Sequence, residues 1–166
     1  MTPLPPPLGS GELVAWRLDK EIHARTWESG EGAYRAGGRW NRKGVRAVYC
    51  AIDPATAILE VAVHKGFRAL DIVPHVLTSI VLDPARAFVV LPDQVPNTNW
   101  LRPSIPSAGQ QEFGDKLLAE HAFILIPSVV STESWNVIFV RSNTKGAYTF
   151  RSQEPFALDP RLHPPT

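Results

Sequence analysis

Between Ser29 and Gly44 the chain reads SGEGAYRAGGRWNRKG, five glycines with no apolar periodicity. Glycine at that density removes the steric restraint behind regular elements and lets backbone approach other groups closely. The pattern predicts a long structured loop, and loops of that length inside a domain are usually functional or disordered. Regular structure must therefore form on either side. Upstream, Leu13–Leu18 reads as a short strand and Ile22–Trp27 as a short helix. Downstream, Val45–Cys50 is apolar and β-branched, a strand. Asp53-Pro54 then opens a helix, since Asp is a good N-cap and Pro suits the first helical position. That helix runs to near Gly66. Strands are expected at Val76–Leu82 and Ala87–Leu91, parted by a turn at Asp83-Pro84. Residues 92–109 form a second long loop. A helix over Gln110–His121 and strands at Phe123–Ile126, Trp135–Val140 and Ala147–Phe150 complete the reading. Strands outnumber helices and do not alternate with them, which predicts a compact α+β domain with a mixed or antiparallel sheet.

A chain of 166 residues argues for one domain. Prolines at 3, 5, 6 and 7 make residues 1–12 an extended arm, the domain covers 13–158, and 159–166 is a tail within the proline-rich end PFALDPRLHPPT. Lys plus Arg is 17 and Asp plus Glu is 16, so no basic field for nucleic acid is expected. A hydrophobic content of 44% excludes general disorder. No apolar run approaches the ~20 residues of a membrane-spanning helix. The N-terminus carries prolines where a secretion signal has basic and apolar regions. With a single cysteine, Cys50, this points to the cytoplasm. No two of the five histidines stand at metal-binding spacing, so no metal site is expected.

There is no Walker lysine, no glycine fingerprint between a strand and a helix, and no GxSxG elbow. Cys50 sits inside an apolar strand and reads as core. What remains is Arg35, Arg39, Arg42 and Lys43 in the glycine segment. Arginine on glycine-rich backbone suits a diphosphate, although composition alone equally describes a flexible basic loop. Glu60 is either a solvated partner of His64 at i,i+4 or a carboxylate that stabilises a sugar cation. Tyr49 is either core with its hydroxyl at the rim or a stacking surface for a flat heterocycle. Ser128 is a turn serine or a ligand contact. Asn136, an amide inside an apolar strand, orders a neighbouring loop or touches ligand.

The order and spacing of these residues carry more than any one of them. Trp16-Arg17-Leu18, Gly37-Gly38-Arg39-Trp40-Asn41 with Gly44, Tyr49, Ala57 to Glu60 with His64, Ile126-Pro127-Ser128 and Trp135-Asn136 together resemble the RES domain family. Its members look like the toxin half of RES–Xre toxin–antitoxin modules. The resemblance implies a fold similar to ADP-ribosyltransferase toxins, NAD+ as substrate, and an Xre-type antitoxin as partner. It implies Arg39, Tyr49 and Glu60 as the catalytic trio. Arg39 would hold the diphosphate or the nicotinamide ribose, Tyr49 would stack on nicotinamide, and Glu60 would stabilise the ribosyl cation or hold the ribose hydroxyls. Arg17, Ser128 and Asn136 match further polar positions for NAD+. The acceptor, whether water, phosphate or a target protein, is left open by the trio. The alternative is a catalytically inactive module that only binds an antitoxin, and an intact arginine, tyrosine and glutamate argue against it. The loops at 29–44 and 92–109 are expected to rim the cleft.

Overall fold

The first strand, β1, spans Leu13–Lys20, longer than the apolar run because Asp19 and Lys20 continue the ladder opposite Val76 and His75. The computed structural model describes residues 11–162. Of the expected proline arm, residues 1–10 lie outside the described residues, as do residues 163–166 of the tail. After β1, Glu21–Thr26 winds as a 3-10 helix where a short helix was expected.

The glycine segment departs from the expected loop, because Glu31–Ala36 forms a helix, α1. None of its residues is buried, so there was no apolar stripe to read. Ala33 alone packs against the core, and Asn41 Nδ2 and the Gly44 N–H hold the carbonyls of Ala33 and Tyr34, with exposed ion pairs added on the outside. Arg35 Nε donates to Glu31 Oε1 at 2.6 Å one turn away, and Arg46 pairs with the other oxygen while stacking over the Tyr34 ring. Strand β2 follows at Ala47–Ala51 and helix α2 at Pro54–Lys65. As expected, Asp53 caps α2, its Oδ1 accepting the Thr56 N–H at 2.7 Å. A further helix, α3, spans Phe67–Ile72, too short for a periodic signal.

Strand β3 is His75–Leu82, β4 is Ala87–Val89, and helix α4 is Ala108–Glu120. Then come β5 at Phe123–Pro127, β6 at Trp135–Val140, a single turn α5 at Arg141–Thr144, and β7 at Tyr148–Phe156. β7 is far longer than the expected Ala147–Phe150. It pairs with β3 from Leu82↔Tyr148 to His75↔Phe156 through one register shift at Ser79/Ile80. Its residues are mostly exposed, so the apolar signal fades although the backbone ladder continues. Pro155 and Phe156 therefore belong to the sheet, and Leu158 behind them is buried, where the sequence read a loose end.

These strands form one sheet of seven in the order β4-β5-β6-β2-β1-β3-β7. β4 and β5 run parallel and every other neighbouring pair is antiparallel, which makes the sheet mixed, as predicted. Alternation along each strand sends side chains to opposite faces. Phe123, Leu125, Val137 and Phe139 join Val48 on one face. Ile124, Ile126 and Ile138 pack on the other against Trp40, Leu117 and Leu118. β1 and β2 share one register pair, Trp16↔Ala51. Beyond it the strands part, and this opening positions the site. No helix of the described residues is long and apolar enough to cross a membrane.

Candidate active site

Residues from both sides of the β1/β2 opening line a cavity of about 930 Å³. Ligand sites commonly enclose ~300–1,000 Å³, so this one has room for a dinucleotide. Arg17, Arg39, Tyr49, Glu60 and Asn136 all line it, whereas Ser128 stands behind Glu60 and is 2% exposed. The structure thus gathers residues that span 17 to 136 in sequence around one space.

Arg17 bridges the parted strands. Its Nη1 donates at 2.8 Å to the Tyr49 carbonyl, which lacks a ladder partner from β1. Its Nη2 pairs with Asp19 at 2.8 Å, two residues on and so on the same face of the strand. Two of its polar atoms are therefore committed to the protein.

Glu60 sits in the middle of α2 and faces the cavity rather than pairing with His64 along the helix. Ser128 Oγ donates to its Oε1 at 2.9 Å, and Asn136 Nδ2 donates to the same oxygen at 3.0 Å. The serine has no freedom in this. Its oxygen already accepts the Val130 and Ser131 N–H groups, so its one hydrogen goes to Glu60. With Oε1 doubly held, Oε2 is the oxygen left for a ligand. Further along the same loop, Ser134 Oγ donates to Asp53 at 2.5 Å, tying the loop to the cap of α2. Burial alone would raise the Asp53 pKa, but hydrogen bonds from Ser134 and Thr56 hold it below the usual carboxylate value.

Tyr49 presents its ring to the cavity while its hydroxyl is engaged elsewhere. The hydroxyl accepts the Trp40 N–H at 3.0 Å and donates to Asn41 Oδ1 at 2.7 Å. Burial pushes the phenol pKa well above its ordinary value, so the donor proton is kept. Asn41, fully buried, directs its Nδ2 to the carbonyls of Ala33, Arg42 and Val45. One side chain thereby fastens both ends of the glycine segment to β2. Gly38 leaves room for this: a Cβ there would lie 2.5 Å from Tyr49 Oη and 2.6 Å from Asn41 Oδ1. From the other side, α4 holds the segment. Gln111 Nε2 donates to the Gly38 carbonyl at 2.8 Å, Asp115 accepts from Arg42 Nε at 2.7 Å, and Gly114 lets the Trp40 backbone pass in contact.

Arg39 projects from this braced segment, its guanidinium bonded to the carbonyls of Arg102 and Ser104. Desolvation lowers its pKa, and the nearby Glu60 and Tyr49 oppose that. A guanidinium, a carboxylate with one free oxygen and a phenol ring on one cavity can grip an anion, stabilise a nearby cation and bind a flat ring. Sequence reasoning missed the bracing roles of Asn41, Gln111 and Asp115. Asn41 stood within the quoted Gly-Gly-Arg-Trp-Asn run, but Gln111 and Asp115 carried no signal beyond a helix. Among the described residues no group of three His, Cys, Asp or Glu side chains is placed to hold a metal.

The RES domain family model matches residues 14–160. The chain is 33% identical over 159 residues to the Prs ADP-ribosylating toxin of Sphingobium sp. (strain YBL2), covering 89% of this chain and 94% of that one. It is 30% identical over 142 residues to Toxin Res of Yersinia enterocolitica serotype O:8 / biotype 1B, covering 84% and 91% of the two. Its fold is similar to that in the crystal structure of the M. tuberculosis MbcT–MbcA toxin–antitoxin complex, with a TM-score of 0.74 at 18% identity over 89% of this chain and 85% of that one.

Proposed function

Because the chain belongs to the RES domain family, we propose that it is the toxin of a toxin–antitoxin pair and that it breaks the nicotinamide–ribose bond of NAD+. The observation that carries the reading is Glu60, pinned by two donors on one oxygen and open on the other, in one cavity with Arg39 and Tyr49. The names of the Sphingobium and Yersinia relatives support the toxin role, and the Sphingobium name supports NAD+ as the substrate.

In this reading Arg39 holds the diphosphate and the Tyr49 ring stacks on nicotinamide. The C1–N1 bond breaks with both electrons leaving on nicotinamide, which becomes neutral. Positive charge develops on the ribose ring as in other glycosidic cleavages, and Glu60 Oε2 stabilises it. An acceptor then bonds to C1 and loses a proton. A protein side chain as acceptor makes the enzyme an ADP-ribosyltransferase, the outcome that the Sphingobium name supports. Water or phosphate would make it an NAD+-degrading enzyme. Ser128 and Asn136 act on this chemistry through Glu60 rather than by touching NAD+. Arg17 shapes the opening in the sheet, and an Xre-type antitoxin neutralises the toxin in the cytoplasm.

Mass spectrometry of purified protein with NAD+, beside Glu60→Ala, tests this. Free nicotinamide from the wild type alone is expected. The second product names the acceptor: ADP-ribose for water, its 1″-phosphate for phosphate, a heavier protein for transfer. No nicotinamide release, even with phosphate and cell lysate present, would leave the binding-module reading in its place.

A further inference from the structure

The second long loop, 92–109, contributes Pro103 to Pro106 to the cavity wall, and nothing in the reading above uses it. Its contact with the site runs through Arg39. Nη2 donates to the Ser104 carbonyl at 3.0 Å and Nη1 to the Arg102 carbonyl at 3.4 Å. A guanidinium carries five N–H groups in a rigid fork. Two are directed to these carbonyls, leaving Nε–H and one hydrogen on each Nη.

Other anchors on this strap are few. Pro103 and Ser104 are exposed and Ile105 at its tip is 93% exposed, while Pro106 is half-buried and Ser104 Oγ donates to the Arg102 carbonyl at 3.3 Å from within the strap. Its shape comes from its two prolines, which fix their own φ and drive Arg102 and Ile105 towards extended backbone. Prolines at 103 and 106 narrow the conformations open to the strap, and the bonds from Arg39 hold it in the one observed.

We propose that the Arg102–Pro106 strap is a positioning element for Arg39: its carbonyls hold one edge of the guanidinium so that the opposite edge faces the anionic part of the substrate. The identity of that anion rests on the NAD+ reading, whereas the clamp is a property of the free protein. The clamp governs binding of the ground state and the transition state alike, so it acts on KM more than on kcat.

Two arms test it. In ligand-free protein, a nitroxide on Ile105→Cys reports strap mobility, and Cys50 is buried and stays unlabelled. Adding Arg39→Ala should narrow the electron-spin resonance lines; an unchanged spectrum would overturn the clamp, whatever the substrate proves to be. With NAD+, the double variant Pro103→Gly/Pro106→Gly should raise KM about fivefold while kcat stays within about twofold and Tm within a few degrees. An unchanged KM, or a joint loss of kcat and Tm, would overturn the positioning role. A wild type that shows no turnover of NAD+ would count against the function proposed above and leave the spectroscopic arm to decide the clamp.

Discussion

Removing one oxygen atom from Tyr49 separates what its ring does from what its hydroxyl does. Tyr49→Phe keeps the ring on the cavity and strands two groups, the Trp40 N–H and Asn41 Oδ1. Trp40 is 1% exposed and Asn41 0%, so water cannot replace the lost partner. A buried donor or acceptor left unpaired costs ~1–3 kcal/mol, and partial relaxation puts the pair at about 2–4 kcal/mol. In a domain of this size each kcal/mol moves Tm by ~2–4 °C, so a fall of roughly 5–15 °C is expected. Trp40 follows Arg39 in the chain, so the slackened segment should also cost about tenfold in kcat/KM at a temperature where the variant is folded. Thermal melts and nicotinamide release measure the two effects. Asn41→Ala in the same background should add less than it costs alone, because both changes remove one bond. A Tyr49→Phe protein that melts within a degree of the wild type, with unaltered kcat/KM, would refute the tie and leave the ring as the whole contribution. A role in stacking alone predicts that mild outcome.

The other expectations concern Glu60, Gly114 and Asp53. Glu60→Gln should lower kcat by ~10²–10³ with little change in Tm, since Ser128 and Asn136 still find an acceptor there. Ser128→Ala, which removes one of those donors, should cost about tenfold in kcat by the same nicotinamide assay. Gly114→Ala places a methyl group against the Trp40 carbonyl and should destabilise the fold by ~1–3 kcal/mol in denaturant melts; an unshifted midpoint would mean α4 does not brace the glycine segment. Asp53 has its folded pKa depressed, so its stabilisation is complete above its unfolded value of ~4 and is lost as pH falls through the folded value. Ser134→Ala removes a main cause of that depression, so the Tm gap between it and the wild type should close below about pH 4; a gap constant with pH would show the bond to be uncharged in effect.

The sequence was readable where a local rule and the tertiary outcome coincide. Asp53-Pro54 and Gly66 bound α2 because caps are set by neighbours in the chain, and that placed Glu60 on a helix beside β2. β5 and β6 were readable because burial on both faces leaves continuous apolar runs. It failed where stability comes from elsewhere. α1 has one residue on the core, Ala33, and is tied down by Asn41 and Gly44 from later in the chain, and β7 owes its length to the ladder with β3. The site divides in the same way. That Arg39, Tyr49, Glu60, Ser128 and Asn136 belong together follows from their order and spacing, which record a shared fold. What each one does depends on where its hydrogens go, and that is decided by groups distant in sequence. Ser128 reads as a turn serine or a ligand contact; Val130 and Ser131 occupy its lone pairs as in a turn, which turns its single hydrogen onto Glu60. For Tyr49, Trp40 and Asn41 share the hydroxyl, which leaves the ring as its contribution to the cavity. In both cases the hydroxyl that chemistry would send to the substrate is spent on neighbouring groups, so what is left to the cavity is Glu60 Oε2, the Tyr49 ring and the open edge of Arg39.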